Sequence, residues 1–172
     1  MITKWNFQTP TEEELHKRDR LASQLGLSPV VCLLLVQRGL TTVEEVKKFF
    51  KPSLNDLHDP FLMPDMEKAV KRLNKALGNK EKILIYGDYD VDGTTAVSLV
   101  YKYLRPYSSA LDYYIPDRYD EGYGISYKGI NYARENGITL VISLDCGIKA
   151  IEKIEYAKQL GIDFIICDHH MP

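Results

Sequence analysis

An α/β fold with a doubly wound parallel sheet, preceded by a helical arm, is predicted by three observations. From residue 82 onward, strand-like and helix-like segments alternate at short spacing. The strand-like segments are continuous apolar runs rather than alternating ones, which is how strands covered on both faces read. Residues 1–80 carry helical periodicity with capping signals and no strand pattern. The predicted organisation is therefore a helical region over 1–80 and the first part of an α/β domain over 81–172.

In the arm, TEEELHKRDRLASQLG offers Thr11 as a cap, acids in the first turn and Gly26 as a stop. SPVVCLLLVQRGL has Ser28 as cap and Pro29 at the first helical position. In TTVEEVKKFFKP, Thr42 and Glu45 have the spacing of a capping box, and Pro52 ends the helix. PSLNDLHDPFLMPD reads as a connector, and MEKAVKRLNKALGN as an amphipathic helix ending at Gly78-Asn79. Beyond it, KILIYG, LDYYIP, ITLVISLDCG and IDFIICDHH read as strands. GTTAVSLVYKYLRP, ISYKGINYARENG and IKAIEKIEYAKQLG read as the helices between and around them. The chain stops at Pro172 directly after a strand, where an α/β unit continues into a helix. The expectation is an incomplete domain from a longer protein.

Length and composition fit a soluble globular domain: 172 residues, 45% hydrophobic and 27% charged. No apolar run approaches the roughly 20 residues needed to span a bilayer. The start, MITKWNFQTPTEEE, lacks the apolar core of a secretory signal. Cys32, Cys146 and Cys167 sit at unrelated spacings in apolar stretches, so buried, reduced thiols and a cytoplasmic location are expected. Their spacing does not suit a thiolate zinc site.

The net charge is -2, but its distribution matters more. Residues 1–80 hold 13 Lys+Arg against 10 Asp+Glu, and residues 81–172 hold 9 against 14. The excess acid is focused at three strand ends. Asp88, Asp90 and Asp92 follow the first strand, Asp145 the third, and Asp168, His169 and His170 the fourth. The C-terminal ends of parallel strands line one edge, where ligands of open α/β sheets bind. Carboxylates gathered there repel one another unless cations sit among them. Carboxylate oxygens with imidazole nitrogen suit Mn²⁺, with Mg²⁺ or Zn²⁺ as alternatives. Two such ions about 3.5–4 Å apart can activate water and stabilise both oxygens of a phosphoryl displacement.

The Asp-x-Asp-x-Asp spacing places three carboxylates on one side of an extended segment. Gly93 is read as allowing a tight turn, and the helix start at Thr94 and Thr95 as offering N–H groups to a phosphate. A calcium loop is the rival reading of the aspartates. It lacks its acid twelve positions along, where Leu99 stands.

Three motifs, YGDYDVDGTTA (86–96), SLDCG (143–147) and DHH (168–170), follow a helical lead in this order. Together they resemble the DHH phosphoesterase superfamily. The form GDYDVDG, the lead-in LNDLHDPFLMPDMEKAV and the segment IPDRYDEGYGIS are similar to its RecJ branch, single-strand-specific 5′→3′ DNA exonucleases. The likeness runs from about Leu27 onward. It implies a DHH-type domain and a manganese- or magnesium-dependent exonuclease of single-stranded DNA in recombination and repair. It implies metal ligation by Asp88, Asp90, Asp92, Asp145, Asp168, His169 and His170. Asp145 would be the bridging carboxylate and His169 the first choice for direct imidazole ligand. Asp90, Asp92, Asp145, His169 and His170 would carry catalysis.

Some branches of the superfamily place a histidine where this chain has Tyr86. The resemblance also implies downstream lobes that grip DNA, and so a fragment with weak Mn²⁺ binding and little activity alone. Further implied partners are a single-strand-binding protein and a helicase. Arg118, Tyr123 and Thr94 are candidate substrate contacts. In the rival reading, DRYDEGYG is a structural loop whose glycines satisfy special backbone angles. Other functions weighed are hydrolysis of short oligonucleotides, cyclic dinucleotides or pyrophosphate, a metal-free single-strand-binding scaffold, and a phosphoacceptor receiver domain.

Overall fold

The computed structural model describes Lys4 and residues 9–172. Half of the N-terminal stretch expected to lack a secretory signal, residues 1–3 and 5–8, lies outside them. The chain forms two compact units, Met1–Asp59 and Pro60–Pro172.

The first unit contains α1 (Glu12–Leu25), α2 (Pro29–Gln37) and α3 (Val43–Phe50), then a 3-10 turn at Leu54–Asp56. Both expected capping boxes form. The Glu14 N–H donates to Thr11 Oγ1 (3.2 Å) and the Thr11 N–H to Glu14 Oε2 (2.7 Å). Thr42 and Glu45 repeat the exchange. Ser28 stands at the N-cap of α2, but its side chain makes no capping bond, so Pro29 alone marks that start. Leu21, Cys32, Leu35, Val36 and Val46 form the core of this unit.

The second unit runs from Pro60. The reason is α4 (Met66–Gly78), whose Leu73, Ala76 and Leu77 pack with Ile83, Ile85, Leu140 and Ile142. One face of the sheet needs that apolar cover, so the helix joins the α/β unit. The remaining elements are β1 (Ile83–Gly87), α5 (Val91–Leu104), β2 (Leu111–Tyr114), α6 (Tyr127–Glu135), β3 (Leu140–Leu144), α7 (Ile151–Gln159) and β4 (Asp163–Cys167).

All strand pairs are parallel and the order is β2-β1-β3-β4. Alternate residues of β1 face opposite layers. Ile83 and Ile85 meet the layer of α4 and α5, while Leu84 and Tyr86 meet Ile130, Ala133 and Ala157 of α6 and α7. This is the doubly wound architecture the sequence predicts. The chain reverses direction across the sheet between β1 and β3, the switch point where such sheets open a crevice. No helix among the described residues is long and apolar enough to cross a membrane.

The apolar run of β4 is not covered on both faces as β1 and β3 are. It is an edge strand with a partly exposed pattern, and Cys167 is exposed rather than buried. Cys32 and Cys146 are buried as expected.

At the opposite end of the sheet, Arg72 ties α4 to two strands. Its Nε donates to Asp163 Oδ2 (2.6 Å) and its Nη2 to Glu81 Oε2 (2.8 Å), which also accepts from the Thr139 hydroxyl (2.7 Å). The Thr139 hydroxyl first, then Arg72, hold the Glu81 carboxyl below its ordinary value. A depressed carboxyl stabilises the fold at neutral pH and loses that contribution as pH falls below about 4.5. Glu81→Gln is therefore expected to lower stability by about 1 kcal/mol at pH 7. Thermal melts should show the deficit shrinking towards pH 3.

Candidate metal centre

Strand register assembles the site. Gly87 pairs with Leu144, and Leu144 with Cys167. The next residue in each strand is an aspartate, so Asp88, Asp145 and Asp168 stand side by side on adjacent strand ends, spaced at about 4.8 Å per strand. Asp88 is fully buried. Its Oδ1 accepts a long bond from the Gly124 N–H (3.4 Å), and its Oδ2 has no partner. Burial first, then the neighbouring charges of Asp90 and Asp145, push the Asp88 carboxyl up. A buried carboxylate oxygen without a donor, among like charges, fits a bound cation.

Asp145 sits in a left-handed backbone conformation (φ 62°) with its N–H donating to the Cys167 carbonyl (2.9 Å). That turn brings its Oδ1 to 3.0 Å from His169 Nε2. Ligand atoms of Asp145, His169 and His170 all lie within 4.8 Å of one another. These three are the convergent donors of the described residues. Their carboxylate and imidazole chemistry fits Mn²⁺ or a similar divalent ion.

Asp168, expected as a ligand, also makes hydrogen bonds around the site. Its Oδ1 accepts from the His170 N–H (3.0 Å) and lies 2.7 Å from His170 Nδ1, while Oδ2 accepts from the Ile148 N–H (2.9 Å). Burial raises the Asp168 carboxyl, but these bonds outweigh it and hold the group below its usual value. In return Asp168 raises the His170 imidazole. Carboxylate–histidine pairs of this kind orient a ligating ring and leave its other nitrogen for a metal.

The first motif departs from the extended geometry expected of it. Helix α5 begins at Val91, so only Asp88 and Asp90 precede it. Asp90 caps the helix, accepting from the Gly93 N–H (2.9 Å), and its charge still acts on Asp88 and His170. Asp92 is exposed in the first turn and is not one of the three convergent donors. The Thr94 N–H and hydroxyl both donate to the Asp90 carbonyl (3.0 and 2.7 Å), so neither is free for a phosphate as the helix-start reading required. Gly93 serves close approach rather than a turn. A Cβ there would fall 2.4 Å from the Asp88 carbonyl oxygen.

The segment 117–126 forms one wall. The Arg118 guanidinium lies 4.7 Å from the centroid of the Tyr89 ring, which meets Tyr123 edge-on at 6.2 Å. The Tyr123 hydroxyl donates to the Asp145 carbonyl (3.3 Å) and lies 3.4 Å from His170 Nε2. Burial, with the charges of Asp88, Asp145 and Asp168, pushes that hydroxyl up to about 12. Gly122 and Gly124 take positive φ (78° and 83°), the structural role one reading gave them. Tyr89 and Glu121 were not legible as site residues. Tyr89 sits between two aspartates, which mask it. Glu121 accepts from the Asp117 N–H (2.8 Å) and the Ser126 hydroxyl, bonds that depend on the loop's fold.

Tyr86 is a buried buttress. Its hydroxyl donates to the Gly124 carbonyl (2.9 Å) and accepts from the Ser126 N–H (3.1 Å). Tyr86→Phe should cost about 1 kcal/mol for the lost bonds. Faster amide exchange at Ser126, with the β3 amides unchanged, is the expected readout. Cys146 is a packing group, its thiol pushed up to about 12 by burial and then by the nearby aspartates.

The model of the DHH family, N-terminal domain, matches residues 82–172. The chain belongs to the DHH family. Within that family it is similar to the single-stranded-DNA-specific exonuclease RecJ of Bacillus subtilis, with 41% identity over 98% of this chain and 21% of the relative. The RecJ of Escherichia coli is 33% identical over 85% of the chain and 25% of its own length. A crystal structure of exonuclease RecJ bound to manganese superposes with a TM-score of 0.59 at 30% identity, covering 64% of this chain and 29% of that one. RecJ from Thermus thermophilus in complex with Mn²⁺ shares the fold, with a TM-score of 0.67 at 23% identity over 92% of this chain and 22% of that one. The chain thus spans about a fifth to a quarter of the curated relatives it matches.

Proposed function

We propose that this DHH-family chain carries the metal-holding half of the active site of a 5′→3′ exonuclease that hydrolyses single-stranded DNA. The observation that carries the proposal is the convergence of Asp145, His169 and His170 beside the unpartnered Asp88 oxygen. The names of the relatives support the substrate class, and the manganese in their crystal structures supports the metal.

Asp145, His169 and His170 would hold one Mn²⁺ or Mg²⁺, with Asp88 and Asp90, and Asp92 after a rotamer change, available to a second. The ions would polarise the phosphoryl oxygen and lower the pKa of water. The protein's own groups do the rest. Asp168 fixes the His170 ring through Nδ1, leaving Nε2, 3.4 Å from the Tyr123 hydroxyl, as the other nitrogen. Tyr123 covers the Asp145 carbonyl and narrows solvent access on that side. Arg118, stacked on Tyr89, is a cation at the rim for a substrate phosphate, and Tyr123 offers a ring edge to a base. Thr94 is not retained in a direct role. The 1–80 and 81–172 organisation remains useful as the lead-in and the family domain, with α4 packed on the latter. A role in recombination and repair in the cytoplasm, alongside a single-strand-binding protein and a helicase, extends the same reading.

The test is digestion of single-stranded DNA labelled at either end by the full-length protein, with Mn²⁺ or with chelator. Metal-dependent release of mononucleotide from the 5′ label first is the expected result. Exclusive cleavage of dinucleotides, cyclic dinucleotides or pyrophosphate would contradict it.

A further inference from the structure

We infer that the pocket between Tyr123 and the first turn of α7 is a subsite for one nucleotide of the substrate strand, its phosphate gripped by Lys149 and Lys153. This rests on the exonuclease reading and specifies how its substrate is seated. The pocket has a volume of about 290 Å³ and shares Asp168 and His170 with the metal centre, so whatever fills it lies against the reacting groups. That volume is at the small end for ligand pockets, which run from roughly 300 Å³ upward, and suits one nucleotide unit.

Its walls differ in chemistry. Tyr123, Ile125 and Ile148 form an apolar side fit for a sugar or base. The floor is bare backbone at Gly147 (φ 116°), where a Cβ would fall 2.9 Å from Ile125 Cδ1. The other side is cationic. Lys153 Nζ donates to the Ile125 carbonyl (2.5 Å) and lies 5.9 Å from the Tyr127 ring centroid, so the ammonium is held in place. An ammonium has three N–H donors, and a carbonyl partner leaves its charge uncompensated. Neither Lys149 nor Lys153 forms an ion pair among the described residues. Both ammonium groups line the pocket without a paired carboxylate, so a phosphate seated there meets them directly.

The test uses full-length protein and single-stranded DNA in Mn²⁺. Lys149→Gln with Lys153→Gln removes both charges while leaving an amide to donate to the Ile125 carbonyl. KM should rise about tenfold with kcat little changed, and the salt dependence of binding should flatten by about one logarithmic unit. The Lys→Arg pair should restore both. Wild-type KM and salt slope in the Gln pair, or a fall in kcat alone, would overturn the subsite and leave the exonuclease reading intact. Wild-type protein without metal-dependent nuclease activity would remove both. A second measurement does not depend on the variants folding. Titration of dTMP in Mg²⁺ should shift the Cε resonances of Lys149 and Lys153, and thymidine should not. Equal shifts with thymidine, or none with dTMP, would also overturn the subsite.

Discussion

Asp145→Asn is expected to lower Mn²⁺ affinity and single-strand hydrolysis in the full-length protein by about 100-fold or more. Asp145 stands in the middle of the three adjacent strand ends, with Asp88 on one side and Asp168 on the other. Among the described residues it is the carboxylate whose oxygen converges with both imidazoles. Asparagine tolerates the left-handed conformation that φ 62° demands, so the fold should survive while the charge is lost. An unchanged melting temperature without metal, a lost calorimetric Mn²⁺ isotherm and lost activity are expected together. An Asn variant that binds Mn²⁺ as wild type does would place the metal elsewhere.

The second large effect is on stability. Gly93→Ala puts a Cβ 2.4, 2.6 and 2.8 Å from the Asp88 carbonyl oxygen, nitrogen and carbonyl carbon. All three are backbone atoms at the end of the central strand β1, which is buried along its length. They cannot step aside as a flexible side chain can. Overpacking of this kind costs about 3 kcal/mol, at the upper end for a single added methyl. Because the clash is with Asp88 itself, chemical denaturation should show lost stability and Mn²⁺ titration a weakened site in the same variant. A Gly93→Ala protein as stable as wild type would mean that α5 can slide along β1.

The fold was legible because burial on both faces leaves continuous apolar runs, and β1 and β3 carry that signature along their whole length. At β4 the apolar run is only partly covered in this chain, and Cys167 is exposed. The place of α4 was also hidden, since an amphipathic helix reads the same in an arm as on a sheet. At the site, the meeting of Asp88, Asp145 and the DHH run followed from parallel topology. The roles within it did not. The resemblance implies Asp168 and Asp90 as ligands, and it does not show that one also bonds a ring nitrogen and backbone amides while the other also caps a helix. The start of α5 at Val91 decides where Asp92 lies, and the glycine at 93 had suggested a later start.

Anomalous diffraction at the manganese edge, on crystals grown with Mn²⁺, tests the central claim most directly. A peak within about 2.3 Å of both an Asp145 carboxylate oxygen and an imidazole nitrogen of His169 or His170 is the predicted result. Manganese found only at other acids, such as Asp163 or Glu81, with none between these strand ends, would contradict it.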